Sequence, residues 1–200
     1  MKTAICISGY FNSFTDHTSK GVDGYKHLEN HVFSKTDADV YIHSWDLTNK
    51  QQILDLYGDR VIDSVFEPQI DFEPFTTGID YENNPRSSQS TLFSQYYSVQ
   101  NSFELLYSNN KKYDCVIKTR FDVGRINNNL SKIPVQCINF QPTLPMDYFY
   151  LADWGYFDTE GPADMWFYSN YKNMKHFCDI YNLISKDMVP GGDMEEWAGD

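Results

Sequence analysis

Lys118, Arg120 and Asp122 stand two residues apart in the stretch "YDCVIKTRFDVGR", residues 113–125. They follow the apolar run Cys115-Val116-Ile117, whose length suits a buried strand. In an extended chain side chains alternate, so these charges share one face and Thr119 and Phe121 take the other. Two cations and a carboxylate on one face can hold a diphosphate with its divalent ion. The cations meet phosphate oxygens, and the carboxylate offers oxygen to Mg2+ or Mn2+. The same spacing also describes a structural Arg120–Asp122 ion pair at a strand end.

Other stretches carry chemistry-bearing residues. Ser8-Gly9-Tyr10 leaves the apolar run "TAICISG" through one glycine. It matches neither GxGxxG nor GxxxxGK[ST], so a Rossmann dinucleotide fingerprint and a P-loop are unsupported. Glycine there lets backbone approach a ligand, and Tyr10 or Phe11 offers a ring to a base; a plain turn is the alternative. In "HSWD", His43 and Asp46 are only two ligands, with no third of zinc type nearby. Ser44 lies in no GxSxG elbow, and Trp45 reads as a pocket wall. "GPADMWFYSN" places Asp164 before an aromatic run, with Asp153 in "ADWGYF" upstream. Aromatic faces stack on sugar rings while carboxylates take hydroxyls; an edge strand with a capping aspartate is the other reading. Glu195 and Glu196 follow Gly191-Gly192 and either swing into a site or are solvated charges near a chain end.

The elements that must position these residues follow from periodicity. "TAICISG", "ADVYIHS", "RVIDSVF" and Cys115 onward read as strands. Tyr25, Leu28 and Val32 form a helical stripe, and Thr48 caps a second helix carrying Ile53, Leu54 and Tyr57, with Gly58 as its stop. Leu92, Tyr96, Val99, Phe103 and Leu106 predict the longest helix. The segment 67–86 before it holds three prolines and no period, the signature of a functional or mobile loop. "VQCINF", "DYFYLAD" and "DMWFYS" read as further strands, and Met174, Phe177, Tyr181 and Ile184 as a last helix. Strands alternating with helices predict an α/β fold with a mainly parallel sheet and helices on both faces, ending in a mixed or antiparallel edge. Ligands of such sheets bind beyond the carboxyl ends of the strands.

Two hundred residues suit one domain, residues 1–200. The tail "PGGDMEEWAGD" carries paired glycines and no closing helix, which reads as the N-terminal part of a longer protein. Net charge −12 argues against nucleic acid as a partner, because displacing counterions needs a basic face. It leaves room for a phosphorylated ligand, since one metal ion inverts the local field. The cysteines, Cys6, Cys115, Cys137 and Cys178, have no metal-type spacing. With no signal-peptide core or membrane span in the sequence, a cytoplasmic location is expected.

In order, "AICISGYFNSF", "ADVYIHSWD", "SQYYSVQNSFELL", "YDCVIKTRFDV" and "DMWFYSN" resemble the nucleotide-sugar glycosyltransferases of GT-A fold. These occur in capsule and lipopolysaccharide loci and in large algal or amoebal viruses. The resemblance covers most of residues 3–180 and implies a Rossmann-like nucleotide half with an acceptor half. It implies a UDP- or GDP-type sugar donor, a glycan or glycoprotein acceptor, and Mn2+ or Mg2+ at a DxD-type motif. That motif here is Arg120-Phe121-Asp122, with arginine where the first acid is expected. Asp122 keeps the inner-ligand role, and Arg120 helps neutralise the diphosphate. Ser8, Gly9 and Tyr10 match the loop that meets the nucleotide, with Trp45 and Lys118 beside it. Asp164 matches the acid of the aromatic strand and is the first candidate for a catalytic base, with Glu196 or Glu195 behind it. If the source is viral, the compartment is the host cytoplasm. Two other readings compete: a non-catalytic nucleotide-sugar or carbohydrate-binding module, and a sugar-1-phosphate nucleotidylyltransferase. The latter wants a Gly-rich basic loop after strand one, which "SGYFNSFTDHTSKG" does not supply.

Overall fold

Apolar side chains on both faces of three segments build the centre of a sheet. The computed structural model describes residues 1–12, 20–72, 89–124, 137–152 and 165–182. In chain order the elements are β1 (Thr3–Gly9), α1 (Lys20–Leu28), β2 (Ala38–Ser44), α2 (Lys50–Tyr57), β3 (Val61–Phe66), α3 (Gln89–Ser108), β4 (Cys115–Arg120), β5 (Tyr150–Leu151), β6 (Phe167–Ser169) and α4 (Tyr171–Cys178). The strand order is β3-β2-β1-β4-β6-β5. β1 through β4 run parallel to one another, whereas β6 runs antiparallel to both β4 and β5. The expected α/β architecture, mainly parallel with an antiparallel edge, is present.

The pleat sorts the core into two layers. Ile5, Ile7, Val40, Ile42, Cys115 and Ile117 pack with Leu28 and Val32 and with Ile53 and Tyr57 of α2. Ala4, Cys6, Tyr41 and Val116 pack with Val99, Phe103 and Leu106 of α3 and Met174 of α4. Helices therefore cover both faces. Each such aliphatic side chain, fully buried, contributes about 1.5–3 kcal/mol relative to exposure.

Parallel register sets polar residues in a row. Ser8 lies opposite His43 on one side and Arg120 on the other. One pleat repeat deeper, Cys6 lies opposite Tyr41 and Lys118. Residues in register on parallel strands point to the same face, so the His43–Ser8–Arg120 row faces α3 at the carboxyl end of the sheet. The chain builds outward from β1 to β2 and β3, then crosses to β4 on the other side of β1. Strand order thus reverses between β1 and β4, where open α/β sheets leave a crevice for ligands.

Some local expectations need correction. Residues 137–140 of "VQCINF" are irregular, although Ile138 and Phe140 are buried. Their backbone groups pair with side chains instead of a ladder: Ile138 N–H donates to His27 Nε2 at 2.9 Å, and Lys35 Nζ donates to the Phe140 carbonyl at 2.7 Å. Asn49, not Thr48, is the cap residue of α2, and its amide donates to Asp46 Oδ1 at 3.0 Å. Among the described residues of "DYFYLAD", Tyr150–Leu151 is strand and the rest is not. The early turns of α3 bury Phe93, Ser94 and Ser98, while Leu92 and Tyr96 are half-covered.

Candidate functional site

The switch point between β1 and β4 opens into a cavity of about 350 Å3, within the ~300–1,000 Å3 typical of small-molecule sites. Ser8, Gly9, Tyr10, Trp45, Arg120 and Asp122 line it. These are the sequence-marked residues from three separate segments, brought to one place. Phe11, Asn12 and Gln69 join them, with Thr91, Ser94, Gln95 and Ser98 from α3. Lys118 does not reach this wall. It is 2% exposed and lies with its Nζ 5.5 Å from the centroid of the Phe167 ring. Its register places it one repeat, roughly 6–7 Å, below Arg120, and neighbouring β6 covers it. Asp164 and Glu196, like Asp153 and Glu195, lie outside the described residues.

Arg120 and Asp122 form a bidentate pair. Nε donates to Oδ1 at 3.1 Å and Nη2 to Oδ2 at 3.2 Å. β4 ends at Arg120, so Asp122 sits in the following turn rather than on an extended strand. The strand-end ion pair is therefore present, and both of its residues also line the cavity. The Arg120 side chain is 36% exposed and that of Asp122 only 12%. A guanidinium has five N–H donors, and two serve Asp122, fixing the plane of the fork.

That turn is seated against α1 by close approach. A Cβ on Gly24 would collide with the Phe121 carbonyl, and one on Gly124 with the His27 ring. Burial, and secondarily His31, pushes the His27 imidazole down to about 4, which keeps its Nε2 free of a proton to accept from Ile138.

The β1 exit is held from two sides. Gly9 has φ +100°, a conformation that glycine adopts without the Cβ penalty. A Cβ there would meet open space, so backbone conformation, not crowding, calls for glycine. Gly9 N–H donates to Ser98 Oγ at 3.1 Å, and Ser44 Oγ donates to the Gly9 carbonyl at 2.8 Å. Asp46 Oδ2 accepts from Asn12 N–H at 3.4 Å and from Asn49 Nδ2 at 2.8 Å, tying the β1 and β2 exits together. Across the mouth, Tyr10 OH donates to Gln69 Oε1 at 2.8 Å, and Gln69 Nε2 donates to Ser94 Oγ at 3.0 Å. Burial and then the Asp46 carboxylate push the Tyr10 phenol up, so it stays a donor at neutral pH.

Behind this wall His43 is fully buried. Its Nδ1 lies 2.7 Å from Ser98 Oγ and its Nε2 2.8 Å from Glu67 Oε1. Burial lowers its pKa against the raising pull of Glu67. Both ring nitrogens are engaged, so His43 and Asp46 do not act as a metal pair. Trp45 is 5% exposed, stacked on Tyr97 at 5.4 Å between centroids and edge-on to His43. It is a wall, as expected, and not an open stacking platform.

Sequence reasoning passed over Ser98, Ser94 and Gln69. A signal existed for the serines. Ser94, Ser98 and Ser102 step by four along the longest helix, and all are buried. A polar stripe beside an apolar one on a core helix means side chains that meet strand ends or backbone. Among the described residues, no group of three or more metal-ligating side chains occurs, and no helix is long and apolar enough to cross a membrane. Cys6, Cys115 and Cys178 are buried free thiols, and Cys137 is an exposed one. Burial pushes the thiols of Cys6 and Cys178 far up, so they act as small hydrophobes.

No protein-family model, curated protein or solved structure matches the chain.

Proposed function

We propose that the cavity binds a nucleoside-diphosphate sugar of UDP or GDP type and that the protein is a glycosyltransferase of GT-A-like fold. One observation carries this reading. Residues marked by chemistry in three separate segments, Ser8 to Tyr10, Trp45 and Arg120 with Asp122, line one cavity at the strand-order reversal. The resemblance in motif order supports the sugar-donor class.

In this reading Arg120 meets the diphosphate. Breaking the sugar–diphosphate bond leaves negative charge on the β-phosphate, and a pre-aimed guanidinium stabilises that charge as it develops. Asp122 fixes the guanidinium plane, so little reorganisation is needed at the moment of bond breaking. Mg2+ or Mn2+ commonly binds through one or two carboxylates plus substrate phosphates. Asp122, a carboxylate on the cavity wall, is the residue that would take that limited role. Such an ion supplies further neutralisation of the leaving diphosphate. An inverting transfer also needs a carboxylate to take the acceptor hydroxyl proton, a role proposed for Asp164 with Glu196 behind it. The acceptor is a glycan or glycoprotein, and the compartment proposed is the cytoplasm.

The bidentate Arg120–Asp122 pairing, which occupies the one acid of the motif, favours a second reading, a non-catalytic nucleotide-sugar-binding module. A thermal-shift panel of UDP- and GDP-sugars, with and without Mn2+, tests binding, and nucleotide release over hours separates the two readings. At a hundredfold excess over Kd a donor adds ~2.7 kcal/mol, roughly 5–10 °C for a chain of this size. If no donor moves the melting point at millimolar concentration, the nucleotide-sugar reading falls.

A further inference from the structure

We propose that His43 and Ser98 are positioning residues for the cavity, with Glu67 selecting the imidazole tautomer that lets Ser98 hold the β1 exit. This rests on the nucleotide-site reading for its ligand, but not for its geometry.

Hydrogen-bond inventory fixes the direction of the chain. An ionised carboxylate only accepts, so the 2.8 Å contact to Glu67 places the proton on His43 Nε2. Nδ1 of the neutral ring is then an acceptor, and the Ser98 hydroxyl donates to it across 2.7 Å in preference to the His43 carbonyl, which lies 3.5 Å away. The remaining capacity of Ser98 Oγ accepts Gly9 N–H at 3.1 Å. The chain runs from the segment after β3, through the sheet end, to the one residue of β1 with positive φ. His43 is fully buried and Ser98 is 1% exposed, so the His43–Ser98 link is shielded from competing water, while Glu67 at the outer end is 32% exposed. Burial of His43 depresses its pKa, in keeping with a neutral ring. Charged and titratable groups around the ring are Glu67 and Tyr97.

The order Ser98–His43–Glu67 is also that of a nucleophile, its base and a carboxylate. Geometry argues against that role. The Gly9 amide, which would serve as an oxyanion donor, is spent on Ser98 itself. The arrangement holds the wall in place and does not attack.

The two ring nitrogens can be removed separately. His43→Asn keeps an acceptor near Nδ1 for Ser98 and loses Glu67. His43→Gln reaches toward Glu67 and loses Ser98. Ser98→Ala removes the last link with minimal change of volume. Amide hydrogen exchange at Gly9, read by NMR, reports the link with no ligand present. His43→Asn should retain Gly9 protection within about threefold, while His43→Gln and Ser98→Ala lose about tenfold or more, the loss of one buried hydrogen bond. Titrations with UDP and GDP should follow the same order, with His43→Asn weakened least. Nitrogen-15 shifts of wild-type His43 should report a neutral ring protonated at Nε2. Equal Gly9 exchange in all variants, equal behaviour of the Asn and Gln variants, or an Nδ1-protonated ring would overturn the proposal. So would unchanged nucleotide affinity alongside lost protection, or labelling of Ser98 by a fluorophosphonate. Should wild type bind neither UDP nor GDP, the nucleotide reading fails while Gly9 exchange still decides whether His43 and Ser98 position the β1 exit.

Discussion

Two polar groups stand at the carboxyl end of the same sheet, in the same register row, and are built differently. Arg120 and Asp122 form a bidentate pair that lines the cavity, with Arg120 partly open. His43, Ser98 and Glu67 are closed around a neutral ring, with donor and acceptor matched along the chain. Each group has one partly exposed member, Arg120 at 36% and Glu67 at 32%, but the imidazole and hydroxyl at the centre of the second are buried. An ion pair with one partly exposed partner contributes about 1–2 kcal/mol to folding, whereas a broken buried network costs the desolvation of every group left alone. The open pair is therefore suited to meet a ligand and the closed group to hold shape.

The largest expected effect comes from the seat beneath the open pair. Gly24→Ala drives a methyl group into the Phe121 carbonyl, and α1 or the 121–124 turn must move. A loss of about 3 kcal/mol is expected, a fall of roughly 6–12 °C in melting temperature. A melting point within a degree of wild type would mean that α1 does not seat the turn.

His43→Leu comes next. It strips Ser98 and Glu67 of a shared partner and should cost about 2–3 kcal/mol in chemical denaturation. A loss below ~0.5 kcal/mol would place the closed group among ordinary surface contacts and erase the contrast.

Acid should act on buried imidazoles. His27 is depressed from 6.5 to about 4, and His43 is depressed as well. Below pH 6.5 the unfolded chain takes up protons that the folded chain refuses, so stability falls as pH drops. For His27 the decline runs from about pH 6.5 to about pH 4 and then levels, a total of roughly 2–3 kcal/mol. Denaturation midpoints across this range should flatten in His27→Gln, and an unchanged slope would assign the acid sensitivity to other groups.

The smallest effect on folding should be that of Arg120→Ala, about 1–2 kcal/mol, because Arg120 is partly exposed while the largely buried Asp122 loses its guanidinium. Its larger effect belongs to binding.

The sequence made the sheet centre legible because β1, β2 and β4 are apolar on both faces, but the strand order that places the switch point between β1 and β4 was not, since no local pattern says which strands pair. Arg120 and Asp122 were legible by type. Their pairing was legible too, but the turn that carries Asp122 was not, since nothing local marks where β4 stops. Lys118 shares the face of Arg120, and only the register with β6 reveals that it is covered. Residues 137–140 look like a strand because their apolar run is indistinguishable from one. Their actual partners, His27 and Lys35, lie more than a hundred residues away. Ser98 was hidden for a similar reason, because helical serine is locally unremarkable until its stripe is compared with the burial of its neighbours.

Calorimetric titration of UDP- and GDP-sugars, with and without Mn2+, into wild type and Arg120→Ala brings these points together. At least one donor should bind wild type, and Arg120→Ala should weaken it by about 30-fold or more, ~2 kcal/mol, while its melting point stays within a few degrees. Equal affinity in the variant, or no binding by any donor, would contradict the assignment of this cavity to a sugar diphosphate.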